Sequence, residues 1–258
     1  MNNLNTVNRK ELRYVGIVEA RMTSSRLPGK MMMPIGGKPS LQILVERLMR
    51  TPGLSEVVVA TTVNPTDDCL QDLCDSMGIG CFRGSEEDVL GRVLDAATFF
   101  RADVIVEITG DCTFIDPELV QECIDAYANS QADFVSNCVE KPFYPPGMDA
   151  RLFSTQLLSY VNTLSTDQDD RDHVSLYFWE HPEKFDLLHV RPDKELNWPE
   201  KYIALDTAED LEMLRDIYEH LSAENPNFSA RDILRYLRAN PEVSEISELV
   251  YRKGAHEE

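Results

Sequence analysis

Tyr14-Val-Gly-Ile-Val18, then Glu19-Ala-Arg-Met-Thr-Ser-Ser-Arg-Leu-Pro-Gly-Lys30, then Pro34-Ile-Gly-Gly-Lys-Pro39 is the stretch on which the fold turns. A short apolar run gives way to a long polar loop. From Pro39 onward Leu41, Leu44, Val45 and Leu48 recur at helical spacing until Pro52-Gly53. The stretch therefore reads as a buried strand, a loop at its carboxyl end and a first helix. Arg21, Arg26, Lys30 and Lys38 stand in the loop with no acidic residue between Ala20 and Val45, in a chain of formal charge -20. A cationic, glycine-bearing loop in so acidic a chain suits a triphosphate; a solvated basic surface loop is the plainer alternative.

Working outward, the same alternation repeats. Glu56-Val-Val-Val-Ala-Thr61 is a second buried strand, and Asn64-Pro-Thr-Asp67 is a turn that starts a helix carrying Leu70, Leu73, Cys74 and Met77. An edge strand is expected around Cys81-Phe82. Arg83 to Asp88 then open a helix with Val89, Leu90, Val93, Ala96, Ala97 and Phe100 on one face. Val104-Ile-Val-Glu-Ile108 is a third buried strand leading into Thr109-Gly-Asp-Cys112, and Asp116-Pro-Glu118 starts the next helix. Strands alternating with helices predict an α/β fold, a Rossmann-like and mostly parallel sheet with helices on both faces.

Further along, residues 133–137 are expected to form a strand, and residues 138–172 a long irregular loop rich in proline. Helices are expected at 154–161 and 172–180, a strand at 185–190, and a short apolar strand at Tyr202-Ile-Ala-Leu205. Asp206-Thr-Ala-Glu-Asp210 has a helix-start signature, and an amphipathic helix follows Ser229. Residues 1–13 read as a mobile tail, 14–225 as one catalytic domain with 138–190 as its acceptor and dimerisation region, and 226–258 as a C-terminal helical extension.

Composition narrows the function. Of 258 residues, 43% are hydrophobic and 27% charged, which is ordinary for a globular chain. Forty-five acidic against 25 basic residues argue against a nucleic-acid or membrane-surface partner, since either needs a broad basic face. No apolar run spans a bilayer and Met1 to Arg9 is no signal peptide, so a cytoplasmic protein is expected. The six cysteines lack C-x-x-C or zinc-ligand spacing and read as reduced, mostly buried thiols.

In a parallel sheet the loops after the strands share one crevice. Arg21 to Lys38, Thr61-Thr62 and Gly110-Asp111 would meet there. The first loop is neither a Walker P-loop nor a G-x-G-x-x-G fingerprint. Gly29, Gly36 and Gly37 would still let backbone N–H groups approach phosphate while Arg21 and Lys30 supply charge. Asp111 and Asp206, each after an apolar segment, are two hard oxygen ligands suited to magnesium, although a turn cap and a helix N-cap explain them equally well. His173 and His181 are possible bases or ordinary hydrogen-bonded histidines.

The motifs Ala20-Arg-Met-Thr-Ser-Ser-Arg-Leu-Pro-Gly-Lys30 with Gly36-Gly-Lys-Pro39, Arg83-Gly-Ser-Glu-Glu-Asp-Val-Leu90, Gly110-Asp-Cys with Ile115-Asp-Pro117, and Leu205-Asp-Thr-Ala-Glu-Asp-Leu211 resemble the cytidylyltransferase family. The branch is that of spore coat polysaccharide biosynthesis protein F, related to the enzymes acting on acylneuraminate and 3-deoxy-manno-octulosonate. The resemblance runs in order from Val15 to Tyr218. It implies a fold of the nucleotide-diphospho-sugar transferase type and transfer of CMP from CTP to a small-molecule acceptor, in a homodimer. It implies catalytic Arg21, Lys30, Asp111 and Asp206, with Mg2+ on Asp111 and Asp206. Ala20, Met22, Arg26, Gly29, Thr61, Ser85, Arg92 and Gly110 would complete the nucleotide site. Tyr144, Gly147 and Asp149, in Tyr144-Pro-Pro-Gly-Met-Asp149, would face the acceptor. Thr113 and Ala208 stand where the family usually has proline, and neither change removes a ligand. Transfer of another nucleotide to a sugar 1-phosphate, or a nucleotide-binding protein without catalysis, are the competing readings.

Overall fold

The computed structural model describes residues 8–138 and 143–248. The expectations for residues 1–7, for Pro142 in the long loop and for the polar end from 249 onward fall outside the described residues. In chain order the elements are β1 (Tyr14–Glu19), β2 (Pro34–Ile35), β3 (Lys38–Pro39), α1 (Ser40–Leu48), β4 (Glu56–Thr62), α2 (Asp68–Met77), β5 (Gly80–Gly84), α3 (Val89–Phe99), β6 (Val104–Thr109) and α4 (Pro117–Asn129). Then come β7 (Phe134–Ser136), β8 (Arg151–Ser154), α5 (Thr155–Asn162), α6 (Gln168–Asp172), α7 (Leu176–Glu180), β9 (Leu187–His189), α8 (Ala208–Glu224), α9 (Ala230–Ala239) and α10 (Glu242–Glu248).

Seven strands form the main sheet in the order β5-β4-β1-β6-β8-β7-β9. The pairs β4–β5, β1–β4, β1–β6 and β7–β9 are parallel, while β8 runs antiparallel to both β6 and β7. The mostly parallel sheet with a helix layer on each side is thus the observed architecture. Each strand divides its side chains by the two-residue period: Tyr14 and Val18 join α1, α2 and α4 in one apolar cluster, and Val15 and Ile17 join α3, α5 and α7 in another. Burial on both faces explains why these strands read as continuous apolar runs. A third cluster, outside the sheet, packs α8 and α9 around Phe114, Tyr144, Ile203 and Leu205.

Three expectations are corrected. Residues 151–154, placed in the irregular loop, are the antiparallel strand β8. The helix expected at 172–180 is two short helices, α6 and α7, separated at His173–Ser175. The strand expected at 202–205 has no ladder; its one backbone tie to the sheet's edge is Leu205 N–H donating to Asp111 O at 2.9 Å. Within the stretch read as a mobile tail, Arg9 donates to Ala132 O at 2.9 Å and lies over the Tyr127 ring. The six cysteines are all free, as expected.

Candidate active site

The carboxyl ends of β1 and β6 are adjacent in the sheet, so the loops leaving them share one mouth. There a cavity of about 240 Å³ is lined by Ala20, Arg21, Arg26 and Lys30 from the first loop, by Gly110 and Asp111 after β6, and by Arg92 and Asp206. Glu19, Ser24, Ser25, Thr109 and Asp172 also reach it. The first loop is pinned at its neck, where Gly29 N–H donates to Met22 O at 2.8 Å and Met22 N–H donates to Asp67 Oδ1 at 2.8 Å. Gly110 has no room for a side chain: a Cβ there would lie 2.6 Å from Glu19 O, which keeps Asp111 close against the end of β1.

Asp206 is the most heavily used carboxylate of the mouth. It is 1% exposed and accepts from Lys30 Nζ at 2.9 Å and from Arg26 Nη2 at 2.8 Å. Its second oxygen accepts from the Tyr202 hydroxyl. Lys30 Nζ also donates to Leu205 O at 2.8 Å. Burial alone would raise the Asp206 pKa, but Lys30, the Tyr202 hydroxyl and Arg26 together hold it below the usual carboxylate value. Thr207, as the N-cap of α8, and Asp210 form a reciprocal capping box, so the N-cap is the residue after Asp206 and not Asp206 itself.

Beneath the mouth lies a second charged layer. Glu19 and Glu107 stand two residues out of register on neighbouring strands, hence on one face of the sheet. Glu19 Oε1 and Glu107 Oε2 are buried without an ordinary donor, and Arg92 Nε–H is buried without an acceptor. Burial first, then the charge of Glu107, pushes Glu19 up to about 8, so it keeps its proton at neutral pH and can offer it to Glu107. Glu107 is likewise raised by burial, opposed by Arg151, whose Nη1 lies 3.5 Å from Glu107 Oε1. Burial also pushes Asp149 up to about 6 despite Arg151 at 3.9 Å.

The remaining residues singled out in the sequence lie elsewhere. Thr61 is buried and donates to Asp67 Oδ2 at 2.9 Å, outside the cavity lining. Ser85 Oγ accepts from Asp88 N–H at 3.1 Å, and Ser85 O accepts from Arg92, so Ser85 supports α3 and touches the cavity only through Arg92. Tyr144 is 1% exposed within the third apolar cluster. Gly147 adopts φ +105, and a Cβ there would sit 2.5 Å from Ala204 N, so it presses the 143–149 segment onto the backbone before Asp206. His181 stacks on Tyr177 with ring centres 4.0 Å apart, and neither it nor His173 lines the cavity. Glu19, Tyr202 and Asp172 were not anticipated. A glutamate ending the apolar run 14–18, and another inside 104–108, were the available signals for the buried layer; nothing local marked Tyr202.

A cationic loop facing Asp111, after a parallel strand, and Asp206 across the same mouth defines a nucleotidyltransferase-type α/β site. The match to known sequences makes this specific. The cytidylyltransferase family profile fits residues 15–243, and the chain belongs to that family. Spore coat polysaccharide biosynthesis protein SpsF of Bacillus subtilis is 32% identical over 88% of this chain and 95% of its own length. A cytidylyltransferase structure from Leptospira borgpetersenii superposes with a TM-score of 0.86 at 30% identity, covering 93% of this chain and 100% of that one. A CMP-2-keto-3-deoxy-manno-octonic acid synthetase, solved with CTP, shares the fold at TM-score 0.61 and 18% identity over 81% of this chain and 99% of its own. The protein is therefore an enzyme of the nucleotidyltransferase class. Among the described residues no helix is long and apolar enough to cross a membrane.

Proposed function

We propose that the chain transfers CMP from CTP to a sugar acid or phosphorylated small-molecule acceptor, releasing pyrophosphate, in the synthesis of a surface polysaccharide or glycan precursor. The observation that carries this reading is the meeting of Arg21, Arg26 and Lys30 with Asp111 and Asp206 around one cavity. An acceptor oxygen attacks the α-phosphorus in line; the new O–P bond forms as the α–β bridge breaks, and the electron pair leaves on pyrophosphate. Arg21 and Lys30, with Arg26 beside them, neutralise the charge gathering on that leaving group. Ala20, Gly110 and Arg92 line the same space and are assigned to the nucleoside end.

A magnesium ion belongs to the proposal. Among the described residues no group of three or more His, Cys, Asp or Glu side chains could hold a metal alone. Magnesium commonly takes one or two carboxylates with substrate phosphates and water, and that set fits Asp111 and Asp206. When bound it would neutralise phosphate charge and orient the α-phosphate. Asp206 is shared with Lys30 and Arg26, so triphosphate entry, by drawing those cations away, would release the carboxylate for the ion.

Tyr144, Gly147 and Asp149 are kept as the acceptor side, with Gly147 and Tyr144 acting through the packing of their segment and Asp149 near Asp111. Assembly as a homodimer through residues 152–190, where Tyr160 is exposed, and residence in the cytoplasm complete the reading. The test is pyrophosphate release from CTP with magnesium and a panel of sugar acids, beside thermal shifts with CTP, GTP, UTP and ATP. Selective stabilisation by CTP and release with a sugar acid are expected. Stabilisation by GTP instead, with release only on a sugar 1-phosphate, would overturn the donor and acceptor assignments together.

A further inference from the structure

Residues 193–206 carry Tyr202 and Asp206 from β9 towards α8 without a strand or helix of their own. Such a segment has to be held from outside if its last residue is to point reproducibly. The C-terminal helices hold it. Arg231 Nη1 lies 2.7 Å from Asp193 Oδ2 and 3.2 Å from Glu195 Oε2, and Arg238 Nη2 donates to Glu195 O at 2.7 Å. The Trp198 ring is flanked by Lys201 and Arg238, 4.7 and 4.9 Å from its centre. These contacts are partly exposed, and each is worth little alone.

The buried contacts are more telling. Lys201 Nζ donates to Ser244 Oγ at 2.7 Å, and Ser247 Oγ donates to Asp210 Oδ1 at 2.6 Å; all four side chains are buried. The other oxygen of Asp210 accepts from the backbone N–H groups of Asp206 at 3.0 Å and Thr207 at 2.9 Å. A capping box accounts for the second set of bonds by itself. It does not call for a serine from a helix 37 residues downstream on the opposite oxygen.

We propose that α10 is a positioning element of the active site: Ser247, through Asp210, fixes the backbone of Asp206 and so the direction of the carboxylate that Lys30 and the metal-triphosphate share. The inference rests on the reading of Asp206 given under the proposed function. Ser247 does not line the cavity and reaches Asp206 through Asp210.

The experiment compares the full-length enzyme with Ser247→Ala and Ser247→Thr, reading half-saturating magnesium, KM for CTP, kcat and Tm. Losing one hydrogen bond to a buried carboxylate predicts a rise of about 5- to 10-fold in half-saturating magnesium and in KM for CTP for Ser247→Ala, with Tm lowered by only a few degrees. Ser247→Thr, which retains the hydroxyl, should return both to wild type. Unchanged magnesium and CTP dependence would overturn the proposal, and so would a Ser247→Ala enzyme that loses Tm or folded fraction alone. Asp206→Asn separates the two levels. If it keeps wild-type magnesium dependence, the site assignment fails; if it loses activity while Ser247→Ala behaves as wild type, only the role of α10 fails.

Discussion

Two carboxylate regions lie within one mouth and behave oppositely. Around Asp206, Lys30 and Arg26 close to 2.9 and 2.8 Å and the acid is held ionised. Around Glu19 and Glu107 the cations are looser: Arg92 acts on Glu19 without an ion pair, Arg151 stands 3.5 Å from Glu107, and with burial and two like charges competing Glu19 keeps its proton. Burial raises both regions; the distance and number of cations decides which way each settles. The upper region therefore has charge to trade with a triphosphate and metal. The lower one is a floor, largely withdrawn from solvent, that keeps its net charge small.

The largest effect that would break this contrast is removal of the floor's cation. Arg151→Met leaves Glu107 and Asp149 buried without a counter-charge, and a loss of about 3 kcal/mol in stability is expected at pH 8. Because protonation relieves the repulsion, the loss should shrink towards pH 5; denaturant unfolding at both pH values checks the sign. In the upper region Lys30→Ala should lower kcat/KM for CTP by roughly 100-fold, the scale of one lost charge-stabilising donor, while the fold persists. Near-normal pyrophosphate release from that variant would mean Lys30 serves Asp206 and not the nucleotide.

How much of this was legible follows from range. The first loop, Asp111 and Asp206 stand out because charged residues after apolar strands have a short list of uses, and strand-end loops converge in any parallel sheet. The strand β8 is four residues long after a proline-rich run, and its pairing with β6 is decided by contacts 44 to 50 residues away, beyond any local pattern. Thr61 occupies a strand end as expected, yet Asp67 six residues later claims its hydroxyl. Tyr144 sits in a recognisable motif but is packed in the third apolar cluster, where motif and burial carry different messages.

A smaller effect sharpens the floor. With its folded pKa raised to about 8, Glu19 binds a proton in the native state that the unfolded chain has already lost. Its contribution to stability is complete below the unfolded value, near 4.5, and is lost as pH rises through about 8. Glu19→Gln keeps a hydrogen-bond donor for Glu107 and cannot ionise. It should remove that slope and be more stable than wild type at pH 9, by on the order of 2 kcal/mol, in chemical unfolding across pH 5 to 9. Parallel pH profiles for the two proteins would show that Glu107 and Arg151 already compensate the charge.

The smallest expected change tests whether the upper carboxylate is aimed as well as charged. Tyr202 adds no charge; it donates to the Asp206 oxygen that Lys30 and Arg26 leave free. Removing that hydroxyl with Tyr202→Phe leaves both cations in place, so Asp206 stays ionised and Tm should move by only a few degrees, the scale of about 1 kcal/mol. What changes is orientation: with one oxygen unrestrained, the carboxylate can turn towards Lys30 and be harder to draw onto the metal-triphosphate. A rise of about 5-fold in half-saturating magnesium with kcat nearly kept is the outcome that separates aiming from charge. If kcat falls and magnesium dependence does not move, the hydroxyl contributes to the reaction itself, and the upper region is more than a charge store.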